Sequence, residues 1–231
     1  MKSFGVFSLL LCVLAFANAK DSDTSSTEEN LRDLAKAVHE KLNTTIFLDL
    51  VKLGDKIKEK CPDIENKMEN TMDRVGECVE AIDLGSDTFC SLIRKNFVKC
   101  MKPAVELAVG CMPKESKDIP EMVEKIVMAM IDTACSSTVE EMLELLNPCM
   151  MNKDFSLQFP PCKDLRDTFD QHRNKLPSKA FTCQTMPKVR RCIKAVLDDS
   201  CPNQLTKAAH MKMLDGIDKG LKEDCDALNT A

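Results

Sequence analysis

The sequence predicts an all-α fold, a disulfide-stapled multi-helix bundle, on three observations. Apolar residues recur at the helical period, strand signals are nearly absent in a chain with seven glycines and neither Tyr nor Trp, and cysteine is dense. Thirteen cysteines occur, and twelve remain once an N-terminal leader is set aside. An even number is what full pairing requires.

Residues 1–19 read as a signal peptide. Lys2 supplies a positive start, Val6 to Phe16 is apolar but too short to span a bilayer, and Ala17-Asn18-Ala19 fits small-x-small cleavage. Cleavage after Ala19 removes Cys12 and shifts the net charge from −5 to −6, because Lys2 is the only charged leader residue. No later apolar run reaches spanning length, so no transmembrane anchor is expected.

Residues 20–30 are acidic and rich in Ser and Thr, the composition of a flexible tail. Residues 31–231 then form the disulfide-rich helical domain. Leu31, Leu34, Ala35, Val38 and Leu42 mark a first amphipathic helix, ended by Asn43-Thr44-Thr45, the single N-glycosylation triplet. Asn43 is therefore the expected glycosylation site. Ile64, Met68, Met72, Val75, Val79 and Ile82 mark a second helix.

A third helical pattern runs from about Cys90 to Val109, with Pro103 inside it and a kink or break expected near Lys102. Asp118, Pro120 and Glu121 mark the start of a helix through Ile131, with Asp118 as its capping acceptor. Ser137 and Glu140 hold capping-box spacing before another. Other prolines, among them Pro62, Pro113, Pro148, Pro177 and Pro202, sit at the seams. The polar stretch 150–161, ending in Pro160-Pro161, separates two helical regions.

The cysteines fall into two ladders. Gaps run 17, 12, 10, 11 and 24 residues from Cys61 through Cys78, Cys90, Cys100 and Cys111 to Cys135, and 13, 21, 9, 9 and 24 from Cys149 through Cys162, Cys183, Cys192 and Cys201 to Cys225. The last three gaps of each agree closely. A division into related halves, 46–149 and 150–231, follows from such a duplication, though helix lengths alone produce similar gaps.

Metal or redox chemistry needs close pairs such as C-x-x-C, or histidines at ligand spacing, because both ligands must reach one ion or one exchanging sulfur. Neither is present, so all twelve cysteines are assigned to structural disulfides and no metal or cofactor is expected. Spacing leaves the pairing open. His39, His172 and His210 are scattered, and no nucleophile elbow, zincin motif or phosphate loop occurs, so no catalytic residues are assigned and the chain is not expected to be an enzyme. An acidic balance argues against nucleic acid as partner. Lys188, Arg190, Arg191 and Lys194 cluster, but charges at helical spacing usually form a solvated face.

From about Ile46 the chain resembles the insect 27 kDa haemolymph glycoproteins, secreted all-helical proteins with twelve similarly spaced cysteines. Phe97-Val-Lys-Cys100, Pro103-Ala-Val, Cys111, Ile131-Asp-Thr-Ala-Cys135, Asn147-Pro-Cys149 and Cys183-x8-Cys192-x8-Cys201-x23-Cys225 carry the resemblance. The interval from Cys78 to Cys90 is shorter than in that family, and a single glycosylation triplet departs from heavy glycosylation. Insect odorant-binding proteins are a weaker match, because their close C-x3-C pair is missing. The resemblance implies circulation in haemolymph; it brings no agreed activity or site.

Two readings follow. One is an extracellular carrier of a small apolar ligand, a lipid or hormone, held in Met-, Leu- and Phe-lined space between helices; thirteen of the fourteen methionines lie beyond the leader, Met122, Met128, Met130 and Met142 among them. The other is a structural, interaction or circulating reserve protein with a filled core that acts through its surface. Methionine at helical spacing favours a filled core, and an enclosed apolar cavity would favour the carrier.

Overall fold

A computed structural model describes residues 57–83, 85–149, 159–172 and 175–229. The expected signal peptide, the expected acidic tail, the first helical pattern, Asn43 and most of the 150–161 seam lie outside them. The described elements are helical: α1 (Ile64–Glu80), α2 (Phe89–Cys111), α3 (Ile119–Cys135), α4 (Val139–Glu144), α5 (Lys163–Gln171), α6 (Lys179–Ser200) and α7 (Gln204–Asn229), with 3-10 turns at Lys114–Ser116 and Pro160–Cys162.

Local chemistry sets the ends of these helices. Thr88 caps α2 by accepting from the Ser91 amide at 3.3 Å, and Ser178 caps α6 by accepting from Phe181 at 3.2 Å. Pro120 sits in the first turn of α3, where its missing N–H costs nothing. Asp118, however, makes no side-chain cap bond: its backbone is already helical, so the carboxylate is not aimed at the free amides. Of the kink or break expected near Lys102, the break does not occur, since α2 continues through Pro103 to Cys111. A second interior proline, Pro187, is carried within α6. The Cys100 and Cys111 bridges on either side of Pro103 tie α2 to neighbouring structure whatever one lost backbone bond costs.

Each helix packs on the next in the spatial series α1, α2, α3, α7, α6, and α5 and the second 3-10 turn pack on α6. The α3–α7 contact is the most extensive and joins elements far apart in the chain. Lys212 reaches Ser136 O, Gly216 faces Thr133 and Ala129, Gly220 faces Ile126, and Asp224 bonds Lys125, so the two helices run antiparallel. Met122, Met130, Leu214, Ile217 and Leu221 are buried along this seam, with Met186, Met211 and Met213 packed against them. A fully buried side chain of this size stabilises by roughly 1.5–3 kcal/mol.

Close approach here requires glycine. A Cβ on Gly220 would stand 2.8 Å from Ile126 Cα and 2.9 Å from Lys125 O, both backbone atoms that cannot rotate away. A second cluster, Cys162, Leu165, Cys192, Val196, Leu197 and Cys201, fills the space between α5 and α6.

All twelve cysteines expected to pair do so: Cys61–Cys111, Cys78–Cys100, Cys90–Cys135, Cys149–Cys201, Cys162–Cys192 and Cys183–Cys225. Bridges stay within each set of six. Both sets are laced in the same order: first to fifth, second to fourth, third to sixth. In each, the middle helix (α2 or α6) carries or borders the third, fourth and fifth half-cystines, and the following helix (α3 or α7) carries the sixth.

Candidate interaction surface

Helix α4 is amphipathic in the reverse of the usual sense. Its start is held by a reciprocal capping box: Thr138 Oγ1 accepts from the Glu141 amide at 3.1 Å, and Glu141 Oε2 accepts from the Thr138 amide at 2.8 Å. This lies one residue beyond the expected Ser137–Glu140 box. Ser137 instead donates its hydroxyl to Thr133 O at 2.8 Å, finishing α3.

The polar side of α4 faces inward. Glu141 Oε2 accepts from Lys212 of α7 at 2.8 Å, and with the Thr138 amide this bond holds the Glu141 carboxyl below its ordinary range. Glu144 accepts from the Thr206 hydroxyl of α7 and from Asn147 Nδ2 at 2.9 Å, which lowers its pKa too; the charge of nearby His210 adds to this. Thr206 is fully buried, and the Cys149–Cys201 bridge closes the same corner.

Consequently the apolar side faces out. Val139 is 77% exposed, Leu143 63%, Leu146 61% and Met142 38%, at positions i, i+4, i+7 and i+3 of one stripe. Phe89, 75% exposed, lies at the same end of the bundle, because Cys90 is bridged to Cys135 at the end of α3. Other exposed apolar residues, such as Val98 and Leu228, are of the scattered kind usual on proteins. A grouped set of this kind makes this end of the bundle the candidate interaction surface.

The remaining candidates are placed as follows. Met122 and Met130 are buried and Met128 is half-buried, whereas Met142 belongs to the outward stripe and so departs from the expected interior role. An open groove of about 450 Å³ lies between the end of α1 and the start of α2, with Ala81, Ile82, Leu92, Asp83, Asp87, Asn96 and Lys99 among its lining. It is neither enclosed nor uniformly apolar. His172 stacks on Phe181 with ring centroids 3.7 Å apart, and His210 Nδ1 meets Thr206 O at 2.9 Å. Pairing leaves none of the twelve cysteines as a thiolate, and among the described residues no group of three or more His, Cys, Asp or Glu side chains is placed to hold a metal.

The basic cluster on α6 is tied down rather than open to anions. Arg190 spans Asp215 and Asp218 at 2.5 and 2.6 Å, Lys194 bonds Asp198 at 2.5 Å, and Lys188 donates to Thr168 at 2.6 Å. Asp224, nearly buried, receives both Lys179 and Lys125, at 2.7 and 3.0 Å. Burial pushes its carboxyl upward, but the two lysines outweigh this and hold it below its ordinary value.

No helix among the described residues is long and apolar enough to cross a membrane. Six disulfides belong to an oxidising environment, the extracellular one above all. No family model matches the chain, and no curated protein or solved structure matches it.

Proposed function

We propose that this is a secreted extracellular protein without catalytic activity that works by engaging another macromolecule through the apolar end surface formed by α4 and Phe89. One observation carries the reading: α4 turns Glu141 and Glu144 inward onto α7, while Val139, Met142 and Leu143, with Leu146 just past its end, face outward. A short helix oriented only by its own burial would do the reverse. Two further features support it. The methionines of the α3–α7 seam are packed against neighbours, and His172 and His210 are engaged in separate places.

Circulation in haemolymph as a glycoprotein modified at Asn43 rests on the cysteine-ladder resemblance and the leader. Carriage of a small apolar ligand, a lipid or hormone, is the second reading; the 450 Å³ groove beside the Cys78–Cys100 bridge offers it space but not the enclosed apolar lining that would favour it. Native mass spectrometry of the protein secreted from insect cells separates the two. The surface reading expects an oxidised, ligand-free mass, together with a partner cross-linked by the native protein and lost in Val139→Glu/Leu143→Glu. An apolar molecule released only on denaturation would decide for the carrier.

A further inference from the structure

We infer that the partner of the outward α4 stripe is a second copy of this chain, bound about a two-fold axis; this rests on the surface reading above and names the macromolecule engaged. Area is the first ground. Val139, Met142, Leu143, Leu146 and Phe89, exposed by 38 to 77%, together present roughly 400–500 Å² of apolar surface. At the apolar share of about 65% usual in homodimer interfaces, such a core implies about 700 Å² per copy and about 1,400 Å² in all. That lies inside the range of roughly 1,200–2,000 Å² buried by stable complexes.

Charge is the second ground, because it separates the possible occupants. The stripe holds no charged side chain, and charges flanking α4 and the start of α2 are already satisfied within the chain: Glu141 by Lys212, Glu144 by Thr206 and Asn147, Asp132 by Arg94, and Asp87 by Lys95. A transient contact with an unlike protein uses a surface about as polar as the rest of the molecule and is steered by open charges. A phospholipid surface calls for Lys or Arg beside the apolar face, whereas α4 carries Glu140, Glu141 and Glu144 and no base. An uncharged aliphatic patch with one aromatic suits its own image.

Geometry is the third. Positions 139, 142, 143 and 146 fall within about 100° of the helix circumference, so a two-fold axis perpendicular to α4 sets two stripes antiparallel. Met142 and Leu143 then meet their own images at the centre, and Val139 faces Leu146 across the axis at either end. Phe89 widens the patch from the start of α2, held at this end of the bundle by the Cys90–Cys135 bridge. Because the patch pairs with itself, assembly closes at two copies.

The test is sedimentation equilibrium of the full secreted chain from about 0.1 to 100 µM, compared with Val139→Glu/Leu143→Glu and with Val98→Glu. Val98 is an exposed apolar residue of α2, nine positions on from Phe89 and so on the opposite side of that helix. Six intact disulfides by mass and an unchanged helical spectrum report folded variants. The expected result is a dimer in the native protein and in Val98→Glu, weakened at least a hundredfold in Val139→Glu/Leu143→Glu. A native monomer throughout the range overturns the inference, as does a dimer that Val139→Glu/Leu143→Glu leaves intact or that Val98→Glu breaks equally. If the native monomer instead cross-links a different protein and Val139→Glu/Leu143→Glu loses it, the inference falls and the surface reading stands. A monomer that binds phosphatidylcholine vesicles through these residues, or that cross-links nothing, removes both.

Discussion

At Gly220 of α7, backbone proximity outweighs helix propensity. Replacing a helical glycine by alanine ordinarily stabilises by about 0.5–1 kcal/mol, and Gly76 of α1, where an added methyl would meet nothing within 4 Å, should show that gain. Gly220→Ala meets Ile126 Cα and Lys125 O instead and should lose about 1–3 kcal/mol through overpacking. Denaturant melts of the two variants check the contrast, and equal gains would refute the close-approach account. Glu124 offers a test of opposite sign. Burial, with the charge of Glu121, raises its pKa, and its Oε1 is buried without a hydrogen-bond partner. A carboxyl whose folded value is raised costs stability above that value and is relieved as pH falls through it. Glu124→Gln should therefore raise Tm at pH 7, with the advantage fading in acid. Neither residue is legible in the sequence: a glycine or glutamate within a helical run looks the same whether it meets solvent or another backbone.

The decisive element is α4. Its period is readable from Val139, Met142, Leu143 and Leu146, but period assigns a stripe without saying which way it points. Direction comes from α7, whose Lys212 and Thr206 hold Glu141 and Glu144. Both carboxyls are held below their ordinary value of 4.5, so their contribution is full above that pH and lost as pH falls through the lower folded values. Acid should accordingly loosen α4 before the bridged helices melt, seen as selective exchange at 139–146 below about pH 4. Lys212→Ala should reproduce the loosening at neutral pH. Thr138→Ala should cost about 1 kcal/mol by removing the cap, whereas Ser137→Ala leaves the α4 box intact. The one-residue offset of that box reflects competition: the Ser137 hydroxyl completes α3, and Thr138, with extended backbone, turns its hydroxyl onto Glu141.

For the molecule as a whole, the bridges form two sets laced in one order, as two copies of a three-helix unit would show. The units then meet through their third helices, α3 and α7. Loop entropy predicts about 3.5 kcal/mol for the Cys162–Cys192 bridge, which closes a separation of 30 residues. Cys162→Ala/Cys192→Ala should lose at least that, since both sulfurs are fully buried and leave a cavity. Access also orders reduction under native conditions: the half-exposed Cys90–Cys135 and Cys183–Cys225 should open first and Cys162–Cys192 last. Mass mapping of alkylated intermediates reads that order directly.

Sequence alone determined the fold class and the commitment of twelve cysteines to pairing, because helical period and cysteine density are local and compositional signals. It also placed the starts of α3 and α4 to within about a residue, although the Asp118 cap is not made and the capping box lies at Thr138–Glu141 instead. The pairing order, the α3–α7 seam and the outward face of α4 were decided only by tertiary structure. Each depends on which surfaces meet across long separations of chain, as between Glu141 and Lys212, and no local periodicity encodes that choice.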